Sequence, residues 1–415
     1  MKNVLKAAVF TALSAFLLSS CSSEQKEFRP ESSSLFEERI DPESGVVSYS
    51  LKCGYPDDNR QSLYFVTKSM TEDGRFLAFR HTDGNEQKGA GPLHLMLADL
   101  FKDKIYDLGE WTMTPFIATR EDYMVYGDIE RGGFFKRDFF APTKEIKLCD
   151  IPEELSSLGT VRRLATHLTL TQDRKKAFLD TEILTPEGKS RYIQGLLNLE
   201  DGSWEEWGET EWICNHGQLN PKDDSMALCA WESAWEELGR KYQEQTGWYP
   251  RMWIVKKGEK TLIPARTMNF ASHEIWDDDG KGLSWCGHGK MVDEDCVYHL
   301  DLESGEETAW AVIPGARHNS CSPDGKYVVV DQAPERWWRG GKWRVAFWNR
   351  ETGKYVWIYS TRDPLMPQDN QSKLHPDPHP HFVMNGRYVI STANYSDGHM
   401  ELYLTPVDQL IEMTR

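Results

Sequence analysis

Five histidines recur at nearly the same place in five successive segments of this chain, and that shared register constrains the fold more than any other feature. His167, His273 and His318 each stand six residues before a turn aspartate, Asp173, Asp279 and Asp324. His379 stands six before Asn385, and His216 stands seven before Asp223. Each belongs to an extended run leading into a polar turn such as Ser322-Pro323-Asp324-Gly325, then an apolar strand such as Lys326-Tyr327-Val328-Val329-Val330. Turn residues between such runs read as strand, hairpin, strand.

Heads of equivalent strands fall near Ser69, Thr114, Thr166, Asn215, Ser272, Arg317 and His379, a period of roughly 45 to 60 residues that suits four-stranded propeller blades. The expected fold is therefore all-β: one seven-bladed β-propeller domain over residues 45–415, with the extended stretch Gly45 to Cys53 closing the last blade on the first. Length alone suggests two or three domains, but a closed propeller is a single architecture that exceeds that prior. A run of independent β-domains is the competing arrangement.

Residues 1–20 read as an address. Met1-Lys2-Asn3-Val4-Leu5-Lys6 is a positive leader, Ala7 to Leu18 is too short to span a bilayer, and Leu18-Ser19-Ser20-Cys21 has the shape of a bacterial lipobox. Residues 21–44 then read as a lipid anchor on Cys21 and a polar tether. The expectation is an exported bacterial lipoprotein anchored at the outer membrane, touching the membrane only through that lipid.

The formal charge of -17 argues against a nucleic-acid partner. Most of the tryptophans are expected to pack between blades, but two clusters stand apart: Glu232 to Trp253, a long excursion in the fourth repeat, and Arg336-Trp337-Trp338-Arg339-Gly340-Gly341-Lys342-Trp343-Arg344. Rings beside guanidinium groups suit an anionic sugar, which makes Arg336, Trp337 and Arg339 candidate substrate contacts. Without Cys21 the cysteines number seven and show no CxxC spacing, so no disulfide framework is expected.

Innermost strands of a propeller line its central channel, so five imidazoles in one register should form a partial ring around the axis. The alternative is structural: a histidine can bridge neighbouring blades through its two nitrogens, and duplication would copy the contact. His375-Pro376-Asp377-Pro378-His379-Pro380-His381 adds a second concentration of donors. In an extended strand alternate residues point the same way, which places Asp377, His379 and His381 on one side, with His318 of the preceding blade as fourth partner. Imidazole and carboxylate donors suit a first-row divalent metal.

Ser272-His273-Glu274-Ile275-Trp276, Arg317-His318-Asn319-Ser320-Cys321-Ser322-Pro323-Asp324-Gly325 and the His-Pro segment near His379 together resemble oligogalacturonate lyase and its propeller relatives, which include lyases acting on ulvan and on rhamnose-glucuronate linkages. The resemblance implies His273 as general base, Arg251 as a catalytic arginine holding the substrate carboxylate, and His318 as a ligand to a divalent metal, with manganese first and zinc or calcium as alternatives. The family's Gln-x-x-His-x-His segment aligns with Leu374, Asp377 and His379, a departure that His375 or His381 would have to compensate. The implied substrate is a uronic-acid-containing poly- or oligosaccharide, with His167 and His216 as further sugar contacts or as an alternative base.

Elimination from a 4-linked uronate removes a weakly acidic C5 proton, so it needs a cation against the carboxylate, a base, and a proton or positive charge for the departing 4-oxygen. Histidine suits the base because its ordinary pKa lies near neutrality, and Tyr249 is a candidate for protonating the leaving oxygen. Two other classes compete. A non-catalytic propeller scaffold needs no convergent imidazoles. A glycoside hydrolase needs two carboxyl groups, and strand alternation directs Glu274 away from His273.

Overall fold

The structure is a computed structural model that describes residues 28–52, 58–83, 92–111, 117–263, 268–289, 295–332, 343–360, 377–396 and 399–415. Its strands form seven antiparallel sheets in chain order, the seven blades of a propeller. Their innermost strands include Ile117–Thr119, Cys214–Leu219, Met268–Trp276, Ala316–Cys321 and His381–Val383.

Seven hydrophobic clusters hold the ring together, one at each interface between neighbouring blades. Between blades six and seven, for example, Val329, Val345 and Phe347 meet Val389 and Tyr403. Both faces of most strands are thus covered, which explains continuous apolar runs such as Val328-Val329-Val330 in place of simple alternation. The turns after the inner strands are closed by their own side chains. Ser322 donates to Asp324 at 2.7 Å and accepts from the Tyr327 amide at 3.0 Å, while Gly325 supplies the positive φ of 72°. Thr171 and Asp173 repeat the device in blade three at 2.6 Å.

Ring closure follows the expectation and extends it. Val47–Leu51 pairs with His399–Pro406, so the N-terminal segment completes the last blade. A further strand, Phe36–Ile40, pairs outside Val47–Leu51 and makes this sheet five-stranded. The propeller therefore begins before residue 45, inside the segment read as tether. That strand looked like linker because it is an edge: Glu37, Glu38 and Arg39 carry its surface and only Phe36 is buried inward. The leader, Cys21 and the polar run up to residue 27 lie outside the described residues.

The head of blade one also differs from the sequence reading. Its inner strand is Asp58–Gln61, and Ser69 lies at the far end of the run, where its hydroxyl accepts from the Leu63 amide at 2.9 Å. The residue that blade one brings to the histidine level is Tyr64. The predicted head at Thr114 lies outside the described residues.

Candidate active site

The histidines reach the channel through irregularities in their strands. Pairing register shifts across Asn215 to Gln218, Ser272 to Ile275 and Ala316 to Asn319. His216, His273 and His379 adopt left-handed backbone with φ of 52°, 56° and 46°. Bulges and positive φ at non-glycine residues carry a conformational cost and re-aim side chains, and such geometry gathers at functional sites.

The result is a closed ring of aromatic side chains. Ring centroids are 5.2 Å apart for His167 and His216, 5.9 Å for His216 and His273, 3.9 Å for His273 and His318, and 4.5 Å for His318 and His379. Tyr64 completes the circuit at 4.6 Å from His379 and 4.7 Å from His167. Phe65 packs beside it, 5.2 Å from His318. On one side of this ring opens a cavity of about 430 Å³ lined by Tyr64, His216, Glu232, Trp235, Arg251, Phe270, Ser272, His273, Arg317 and His318.

His318, Asp377 and His379 form a buried donor set whose ligand atoms lie within 4.8 Å of one another. His318 Nε2 is 3.6 Å and His379 Nε2 is 3.9 Å from Asp377 Oδ2. His318 Nε2 has no hydrogen-bond partner among the described residues, while its Nδ1 donates to Asp331 Oδ2 at 2.9 Å and its amide to Asp331 Oδ1 at 2.7 Å. A carboxylate behind a histidine is the usual outer support of a metal ligand, fixing ring and tautomer. Two imidazoles, a carboxylate and that support fit a divalent cation. Burial alone would lower the His318 pKa, but Asp331 and Asp377 outweigh it and raise the value.

Beside this set runs a charged chain. Arg251 is almost completely buried and spends its guanidinium on two carboxylates: Nε and Nη2 donate to Glu274 at 3.2 and 3.3 Å, and Nη1 donates to Glu232 at 2.7 Å. Glu274 also accepts from His216 Nδ1 at 3.0 Å. Burial would raise the Glu274 pKa, yet Arg251 and His216 hold it down at about 2. For His273 burial dominates, and with His318 and His216 nearby it sets the pKa well below the ordinary value. His273 is therefore a neutral imidazole at working pH.

Several expectations need correction. Glu274 does not turn away from the site: the bulge at His273 breaks strand alternation and delivers both side chains inward, Glu274 toward His216 of the preceding blade. His381 is not with the metal-type donors. The positive φ at His379 spoils the two-residue period, and His381 donates from Nδ1 to the His379 carbonyl at 3.0 Å and lines a separate cavity with Phe65, Lys68 and Arg120. His167 is covered by Tyr64, which stacks on it, and it lies outside the wall of the 430 Å³ cavity. Tyr249 sits in the apolar cluster between blades four and five, and burial lifts its pKa to about 12. Arg336, Trp337, Arg339 and His375 lie outside the described residues.

Tyr64 and Asp331 went unread in the sequence. Asp331 follows turn residue Asp324 by seven positions, as Asp180 follows Asp173, and Asp180 likewise accepts from an inner-strand amide, that of Thr166, at 2.5 Å. That repeated acid inside an apolar strand was the available signal. Just before the excursion of blade four, Trp212 stacks on Trp231 at 5.3 Å, which is packing, whereas Trp235 within it is 47% exposed at the cavity rim.

Among solved structures, an oligogalacturonate lyase in complex with manganese matches with a TM-score of 0.70 over 89% of this chain and 96% of its own, at 19% identity. The fold is that of oligogalacturonate lyase. A second lyase of that name, from Vibrio parahaemolyticus, gives a TM-score of 0.69 at 18% identity, covering 90% of this chain and 96% of its own. No protein-family profile and no curated protein sequence matches the chain. The oligogalacturonate lyase fold thus shows in architecture and length, at an identity far below what fixes an activity.

Proposed function

We propose that the protein is a lyase cleaving 4-linked uronic acid glycans by β-elimination, with galacturonate oligomers as first substrate and rhamnose-linked glucuronate as second. The observation that carries this reading is the contiguity of the buried set His318, Asp377 and His379 with the neutral imidazole of His273, 3.9 Å from His318 between ring centroids, at a cavity wall that also carries arginine. A scaffold gains nothing from this arrangement. A divalent ion held by His318, Asp377 and His379, manganese by analogy with the solved lyase, would supply positive charge against a uronate carboxylate.

The protein's own groups do the rest. His273 takes the C5 proton, its depressed pKa keeping it in the base form throughout the neutral range. The C5–H electron pair becomes the C4=C5 double bond as the C4–O4 bond breaks, and the departing oxygen takes a proton from water on the open side of the cavity. Closure of the channel by Tyr64 and Phe65 excludes water from one side, which strengthens every charge interaction at the reacting carbon. Trp235 and Phe270, both exposed at the rim, offer ring faces to sugars. Residues 1–21 support a further proposal, that this lyase is exported and held to a membrane by a lipid on Cys21.

The test is the ultraviolet absorbance of the unsaturated uronate product, with oligogalacturonate, ulvan and a rhamnoglucuronan gum as substrates, each with and without chelator. A rise on one substrate that chelator removes is expected. A flat trace on all three from folded, manganese-supplied protein would return the scaffold reading.

Metal binding is tested separately by titration calorimetry with manganese alone. His379→Ala is expected to cost at least about 100-fold in affinity and Asp331→Asn about 10- to 100-fold, the range for lost outer partners, whereas His381→Ala should change it less than about threefold. Because His318 must lose its proton to ligate and its pKa is raised, affinity should fall as pH drops through that raised value. Equal losses for His379→Ala and His381→Ala would refute this ligand set.

A further inference from the structure

Resting on the lyase reading, we infer that Arg317, rather than Arg251, binds the substrate carboxylate, and that Arg251 is a positioning residue for Glu274 and His216. Both arginines line the cavity, but their guanidinium groups are in opposite situations. Arg251 directs Nε and both Nη nitrogens to Glu274 and Glu232, and it is almost completely buried. A uronate could reach it only by displacing a carboxylate from a buried ion pair, which leaves that carboxylate uncompensated. Arg317 makes one side-chain hydrogen bond among the described residues, from Nη1 to the neighbouring Ala316 carbonyl at 2.8 Å, and none to an acid. The rest of its planar fork remains for a bidentate carboxylate.

Charge balance points the same way. Among the described residues, Arg251 faces the two carboxylates Glu232 and Glu274, so its charge is already matched and it has none to offer a uronate. Arg317 adjoins His318 in the inner strand Ala316–Cys321 of blade six, the neighbour of blade five. A carboxylate held there lies next to the metal-type donors and beside His273, whose ring is 3.9 Å from that of His318. It is thereby placed with its C5 side toward the imidazole that is to take the proton.

This arrangement gives Arg251 a different task. It fixes Glu274, and Glu274 in turn fixes the tautomer of His216 by accepting from Nδ1. His216 then presents Nε2 to the cavity 5.9 Å, ring to ring, from His273.

The experiment is calorimetric binding of trigalacturonate and of its fully methyl-esterified form to the intact, manganese-loaded protein, repeated with a rhamnose-glucuronate oligosaccharide and its ester. Arg317→Ala is expected to weaken binding of the free acid by about 10- to 100-fold, the range for hydrogen bonds to a charged group, and to leave the ester within about threefold of wild type. Arg317→Lys should restore part of the loss, since it keeps the charge and forfeits the fork. Arg251→Lys should spare acid binding and lower kcat.

Equal losses for acid and ester would make Arg317 merely structural, and an unchanged acid affinity would place the carboxylate elsewhere; either overturns the inference. An inference-specific failure is told apart from failure of the lyase reading. A wild-type protein that eliminates but loses nothing with Arg317→Ala sinks the inference alone. A protein that binds acid through Arg317 but never eliminates sinks the lyase reading alone. Absence of binding to both acids would sink both.

Discussion

Replacing His273 by alanine is expected to lower kcat by roughly 10²- to 10⁴-fold, the usual contribution of a positioned general base, and to leave the unfolding free energy within about 1 kcal/mol of wild type. Both halves follow from where the side chain sits. It borders a cavity rather than an inter-blade cluster, so truncation removes no packed core. Its φ of 56° is somewhat less favourable for alanine than for histidine, a difference that fits within that limit. Product absorbance and a denaturant melt on the same preparation check the two halves. Near-wild-type turnover would remove His273 from the mechanism and transfer the base role to His216, the neighbouring imidazole already held by a carboxylate.

The largest stability effect is expected at Glu274. Glu274→Gln keeps the shape but removes the anion between Arg251 and His216, leaving a guanidinium buried with one carboxylate where it had two. Breaking a buried pair in this way costs about 3–5 kcal/mol. The sign with pH is specific. The folded-state pKa of about 2 lies below the ordinary glutamate value of 4.5, so the stabilisation is complete above the unfolded value and drains away as pH falls toward the folded one. Wild-type stability should therefore decline between those limits by more than that of Glu274→Gln. Parallel pH profiles for the two proteins would show that Glu274 is not ionised in the folded state.

The architecture was legible because a propeller repeats its turn chemistry. Ser322-Pro323-Asp324-Gly325 and Thr171-Gln172-Asp173 close alike, and the histidines stand at fixed distances before such turns. The ring was legible for the same reason. The directions of individual side chains were not, because they depend on bulges that have no local sequence mark. Alternation placed Glu274 outside and His381 inside, and left-handed residues at His273 and His379 reversed both. Tyr64 was missed because blade one reaches the histidine level with a loop that carries no histidine. Arg251 resembled a substrate clamp in sequence, where its two carboxylate partners, one on its own blade and one on the next, could not be seen.

The strands Phe36–Ile40 and Val47–Leu51 close the last blade, with Ser48 bonded to Thr405 at 2.8 Å and the Val47 amide to Gln409 at 3.0 Å. Because these partners are the first and nearly the last parts of the domain to emerge, the circle cannot shut until almost the whole domain is out. Six blades can pair locally as they emerge, but the seventh waits on the longest loop closure in the chain. Until then the apolar sides of blades one and seven stand open, where another copy could supply the missing strand. Chaperone dependence should therefore concentrate in the interval before the C-terminal strand arrives. A chain lacking residues 28–51 should build six inter-blade clusters and stay unlatched at the seventh.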